Sequence, residues 1–100
     1  MNNLNKTVCL VTGASSGIGK QTAIKISNIA DHVYILSRDV TKLEIVNDQI
    51  INNGTECTIV PMDLTKKNNI KELAKNIYEK ENKIDIIISS AGRINQLSPI

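Results

Sequence analysis

The sequence predicts an α/β fold, a doubly wound parallel sheet, and three observations carry that expectation. Short apolar runs rich in β-branched residues alternate with longer stretches of helical periodicity. The apolar runs are continuous rather than alternating with polar residues, as in strands covered on both faces. A glycine-rich segment, Thr12-Gly13-Ala14-Ser15-Ser16-Gly17-Ile18-Gly19, separates the first apolar run from the first helical one.

The strand-like runs are Val8–Val11, Val33–Leu36, Cys57–Val60 and Ile84–Ile88. The first helical stripe comprises Ile18, Ile26 and Ile29 with Ala23 and Ala30, on a helix expected to begin near Lys20. Val40, Leu43, Val46 and Ile50 form the second stripe, which stops at Asn53-Gly54. Ile70, Leu73, Ala74 and Ile77 form the third, with Lys75 and Glu79 spaced i,i+4 on the face expected to be wet. Three strand–helix units followed by a fourth strand imply right-handed crossovers and a strand order of 3-2-1-4.

The glycine segment reads as a cradle for nucleotide phosphates. A chain leaving a buried strand must turn sharply into a helix, and bare backbone at Gly13, Gly17 and Gly19 lets a diphosphate approach the main chain. The helix N-terminus behind it supplies unpaired N–H groups and the positive end of the dipole. The spacing is G-x-x-x-G-x-G, not the G-x-G-x-x-G of the common dinucleotide fingerprint. A P-loop needs Gly at position 14 and Ser or Thr at position 21, where this chain has Ala14 and Gln21, so Lys20 is a near miss.

Size and charge bound the rest. One hundred residues make one domain, and a net charge of +2 is too balanced for a nucleic-acid footprint. Two tyrosines are the only aromatics, so no base-stacking platform exists. Met1 to Lys6 is polar, and no apolar run approaches the ~18 residues that suggest a membrane span. Cys9 and Cys57 fall in apolar runs without C-x-x-C spacing, so buried thiols are expected and no metal site. The expectation is a cytoplasmic protein without membrane or nucleic-acid partners.

T-G-x-x-x-G-I-G after a strand resembles the coenzyme loop of the short-chain dehydrogenase/reductase family. The resemblance covers the whole chain but less than half of that family's usual domain. It implies that residues 1–100 are the amino-terminal part of one NAD(P)-binding, Rossmann-type domain, with the catalytic half absent. It also implies that Gly13, Ser15, Ser16, Gly17, Ile18 and Gly19 contact the coenzyme.

Other positions match the family's pattern in part. The second strand ends in Leu36-Ser37-Arg38-Asp39, the point that faces the adenosine ribose in dinucleotide folds. The family's NAD-selecting Asp usually stands where this chain has Ser37. Ser37 can donate to a phosphate oxygen and Arg38 can make charge-assisted contacts, which favours NADP over NAD. Asp39 is either a ribose acceptor or an N-cap of the second helix, with Thr41 to Glu44 a competing capping box; the cap is the expected role.

Asp63-Leu64 resembles the pair that borders the adenine in the family. Ser89-Ser90-Ala91-Gly92 stands where the family usually carries Asn-Asn-Ala-Gly. Ala91 and Gly92 keep the family's small pair, while Ser90 is shorter than the amide it replaces. Asp85 and the lone His32 are expected to be structural, His32 at a strand entrance away from the coenzyme edge.

The family's hydride transfer uses Ser, Asn and a Tyr-x-x-x-Lys pair, in which Lys lowers the phenol's pKa. Four residues beyond Tyr34 and Tyr78 stand Arg38 and Asn82, so neither makes the motif and no catalytic residue is assigned. Two function classes follow. One is the coenzyme-binding half of an NADP-dependent oxidoreductase acting on a carbonyl or alcohol, expected to be a homo-oligomer at full length. The other is a non-catalytic remnant that binds nucleotide or pairs with another subunit.

Overall fold

The computed structural model describes residues 6–63 and 66–89. Strands and helices alternate as β1 (Val8–Thr12), α1 (Gly17–Ile26), β2 (His32–Ser37), α2 (Val40–Asn52), β3 (Glu56–Pro61), α3 (Lys67–Glu81) and β4 (Ile86–Ser89). The sheet is parallel throughout and its order is β3-β2-β1-β4, the doubly wound arrangement expected from the sequence.

Both faces of the central strands are covered, which is why their sequences are apolar without interruption. Side chains alternate across β1 and β2. Cys9, Val11, Val33 and Ile35 face α1 and α2, packing with Ala23, Leu43, Val46 and Ile50. Val8, Leu10, Tyr34 and Leu36 face α3, packing with Leu73 and Ile77. The side chain of Ile70, assigned to the same stripe, lies outside the described residues.

Register settles the cysteines. Cys9 lies opposite Val33, and Val33 opposite Cys57, so a whole strand separates the two sulfurs. Strand spacing puts them about 9–10 Å apart, beyond the ~7 Å reach of a disulfide. Burial pushes the Cys9 thiol up to about 11 and the Cys57 thiol up to about 12, so both are inert hydrophobes.

Element boundaries and core assignments depart most from the sequence expectation in α1, α2 and β4. Helix α1 begins at Gly17, not near Lys20, so the last two glycines of the loop form its first turn. Ile18 and Ile29 are therefore not core residues. Ile18 is 78% exposed on the opening turn, and Ile29, 68% exposed, lies beyond the helix end at Ile26. Val40 opens α2 and is exposed, while Leu43, Val46 and Ile50 carry its packing.

Strand β4 is Ile86–Ser89, shifted from the apolar run. Asp85 holds the chain just before it. Its Oδ2 accepts the Val8 N–H at 2.8 Å and pairs with Lys83 Nζ at 3.3 Å, while its own N–H donates to the Val8 carbonyl at 2.9 Å. Asp85 is structural. Helix α3 ends at Asn82 in the left-handed region, φ 67°.

Candidate functional site

The carboxyl ends of four parallel strands define one edge of the sheet, where ligands of open α/β sheets bind. Gly13 and Gly17 both adopt positive φ, +65° and +58°, and these two residues let the chain leave β1 and enter α1. A Cβ at Gly17 would meet nothing within 4 Å, so the main chain there faces open space. Ser16, the N-cap of α1, is extended and its side chain makes no cap bond. The first-turn N–H groups are thus left to whatever occupies the loop. Exposed Ile18 projects from that same turn.

Hydrogen bonds tie the loop to its neighbours. The Ala14 N–H donates to the Leu36 carbonyl at 3.2 Å. The Ser37 hydroxyl donates to Ser15 Oγ at 2.9 Å, joining the end of β2 to the glycine loop through side chains. The Met62 N–H donates to the Ser37 carbonyl at 3.0 Å, which adds the end of β3. On the other flank, Thr12 Oγ1 reaches Ser89 Oγ at 3.3 Å. Gly13, Ser15, Ser16, Gly17, Ile18, Gly19, Ser37 and Arg38 are brought together along this edge.

Beyond β2 the charges sort into two roles. Asp39 is the N-cap of α2: its Oδ1 accepts the Lys42 N–H at 3.1 Å, so the Thr41–Glu44 box is not used. Arg38 is exposed and makes no ion pair among the described residues. Asp63 is half-buried at the turn after β3, its carbonyl accepting from Lys66 N–H at 3.4 Å and Asn69 Nδ2 at 3.1 Å. Leu64, Ser90, Ala91 and Gly92 lie outside the described residues. The cradle, the open path over Gly17 and the unpaired guanidinium fit a phosphorylated dinucleotide.

A second polar cluster, unforeseen from sequence, occupies the opposite edge. Glu81, only 3% exposed, accepts the Tyr34 hydroxyl at 2.6 Å and faces His32 Nδ1 at 3.2 Å and Lys6 Nζ at 3.6 Å. His32 stacks on Tyr34, rings 4.3 Å apart, and its Nδ1 also lies 3.3 Å from Glu56. Because Nδ1 faces carboxylates, it carries the proton, and Nε2 accepts from the Thr58 hydroxyl at 2.7 Å. Burial lowers the His32 pKa. The Tyr34 hydrogen bond, with His32 and Lys6 nearby, outweighs burial and lowers that of Glu81. An open cleft of about 760 Å³ is lined by His32, Glu56, Lys80 and Glu81 at this edge, away from the glycine loop.

The comparisons agree with the geometry. The sequence profile of the short chain dehydrogenase family matches residues 7–100. A fatty acyl-CoA reductase of Acinetobacter baylyi is 38% identical over 91 residues, which are 91% of this chain and 31% of that protein. A metagenomic short-chain oxidoreductase solved with NADP superposes with a TM-score of 0.78 at 31% identity, covering 86% of this chain and 39% of that one. An NAD+-bound xylitol dehydrogenase matches with a TM-score of 0.75 at 26% identity, covering 86% and 33%. The chain thus spans between 31% and 39% of the length of these relatives. No helix among the described residues is long and apolar enough to cross a membrane. From its glycine loop to its strand order, this chain belongs to the short-chain dehydrogenase family.

Proposed function

We propose that the chain is the coenzyme-binding part of an NADP(H)-dependent oxidoreductase acting on a carbonyl or alcohol. The observation that carries the choice of coenzyme is the division of labour after β2. The carboxylate of Asp39 is committed to the α2 cap, while the Arg38 guanidinium has no partner among the described residues. A 2′-phosphate beside these residues meets the permanent positive charge of Arg38, while the Asp39 carboxylate, still an anion, is turned to the α2 N-terminus.

In this reading, Gly13, Ser15, Ser16, Gly17, Ile18 and Gly19 hold the diphosphate and adjacent ribose. Arg38 takes the 2′-phosphate and Asp63 with Leu64 borders the adenine. Ser90, Ala91 and Gly92 keep backbone close to the second ribose. The coenzyme supplies the hydride at its nicotinamide. The proton that accompanies it requires an acid/base group, and Tyr-x-x-x-Lys does not occur in these 100 residues. Coenzyme recognition is therefore the function assigned to these residues, and the reaction to the longer protein that its relatives exemplify.

Calorimetric titration with NADPH and NADH tests the assignment. A net charge-assisted contact of about 1.5–3 kcal/mol corresponds to a preference for NADPH of about 10- to 100-fold. Solvent exposure of Arg38 pulls this toward the lower end and makes it fall with added salt. Arg38→Ala should abolish the preference by weakening NADPH alone. Equal or tighter binding of NADH by the unmodified chain would transfer the selectivity to Asp39 and overturn the reading.

A further inference from the structure

The amino-terminal edge of the sheet carries charges that its packing leaves accessible. Glu81 is not one of them: its side chain is 4% exposed and already faces Tyr34, His32 and Lys6. Glu56 differs. Its side chain is 70% exposed, and its Oε1 stands 3.9 Å from Lys6 Nζ. That separation exceeds the N–H···O hydrogen-bond range of about 2.7–3.2 Å. Lys80, exposed in the last turn of α3, forms no ion pair among the described residues. All three side chains line the cleft of about 760 Å³, a volume typical of small-molecule sites.

Accessible charges of both signs on one cleft match a ligand that carries both. The place for its cationic group is beside Glu56. Helices α2 and α3 both end at this cleft, near Gly54 and at Glu81, and helix C-termini present the negative end of the dipole. The anionic group then falls to Lys6 and Lys80. Because Glu56 and Lys6 stand only 3.9 Å apart, the ligand's own charges must be close together, as on the single carbon of an α-amino acid. The cleft also has an apolar wall, Ile51, which is 51% exposed.

We propose that this cleft binds a free α-amino acid with an apolar side chain, its ammonium at Glu56, its carboxylate at Lys6 and Lys80, and its side chain against Ile51. The site lies at the edge of the sheet opposite the glycine loop. It is therefore independent of the coenzyme reading, and the two can be occupied together. Each contact is solvent-exposed, so each charge contributes modestly and recognition comes from all three acting at once.

Saturation-transfer NMR titrations should compare L-leucine with isopentylamine, which lacks the carboxylate, and isocaproate, which lacks the ammonium. Leucine is expected to bind about fivefold more tightly than either. Glu56→Gln should weaken leucine and isopentylamine by a similar factor and leave isocaproate unchanged. Lys80→Gln should weaken leucine and isocaproate and leave isopentylamine unchanged. Both side chains are exposed, so neither change threatens the fold. Ile51→Ser should remove the preference for leucine over glycine. Saturating NADPH should leave the leucine affinity as it was. Leucine binding no tighter than its two fragments, or a Glu56 or Lys80 variant that affects all three ligands alike or none of them, overturns the proposal. So does competition between leucine and NADPH, which would place leucine at the glycine loop.

Discussion

At Gly17 two separate demands meet. The backbone is left-handed at φ +58°, and the volume where a Cβ would stand is open. An L-residue in this conformation costs about 1–2 kcal/mol, with Asn the usual exception. Gly17→Ala should therefore lower stability by about that amount, while Gly17→Asn should recover part of it. On the proposed coenzyme reading both put a side chain in the path of the diphosphate, so both should lose coenzyme affinity. Urea unfolding set beside NADPH titration separates the two demands. Retained affinity in either variant would show that the space over Gly17 is not used. Residues of this kind were legible in the sequence because a local spacing declares them: the loop glycines and Ser37-Arg38-Asp39 follow directly from position relative to a strand. The Ser37–Ser15 bond was not legible. It joins residues 22 apart through a relative placement that only the packed sheet supplies.

Among the elements, α3 is held at its far end by a charge rather than by a methyl group. Leu73 and Ile77 dock its middle, and Glu81 closes its last turn against Tyr34, His32 and Lys6. Removing Glu81 leaves the buried Tyr34 hydroxyl without its acceptor, so Glu81→Ala should cost about 1–3 kcal/mol. Glu81→Gln keeps an acceptor for the Tyr34 hydroxyl and should cost less. A loss below about 1 kcal/mol for Glu81→Ala would mean that the cluster behaves as an exposed pair.

The same cluster sets a direction for pH. His32 is lowered from its ordinary 6.5, so the unfolded chain takes up a proton there first and stability falls as pH drops below that value. Glu81 is lowered from 4.5, so its contribution is complete above that value and is lost as pH falls through its folded pKa. Urea midpoints should therefore decline from pH 7 toward pH 5, then more steeply below, and His32→Phe should flatten the first part. A midpoint that rises between pH 7 and pH 5 would contradict the assignment of a neutral, buried His32.

Strand and helix order were legible from apolar periodicity alone, whereas this cluster and the start of α1 were not. The cluster joins β1's approach, two strands and a helix end far apart in sequence. Helix α1 starts on glycines, the residues that helix propensity argues against.

For the whole molecule the consequence lies in the two unequal faces and the open edge. Two helices cover one face of the sheet, while α3 alone covers the other among the described residues. The outer strands show the difference. Strand β1 is buried at all five positions, but β4 alternates between half-buried and exposed, and Ile87 is 61% exposed on the α3 side. Among the described residues β4 pairs with β1 only, which leaves its other backbone edge unpaired. An apolar edge strand of this kind is a template for pairing with another chain. Ile87 adds apolar surface that water does not solvate well. The purified 100-residue chain is accordingly expected to self-associate through β4, with light-scattering mass rising with concentration. Ile87→Lys places a charge on the edge without touching the cluster formed by Ile86 and Ile88 on the opposite face, and should shift the distribution toward monomer. Lys at the exposed position Ile45 of α2 makes the control, because it adds the same charge far from the strand edge and should leave the association unchanged. Self-association that survives Ile87→Lys and yields to Ile45→Lys would move the contact from the sheet edge to the α2 face. A monodisperse monomer at every concentration would mean that the β4 edge is covered within the chain itself.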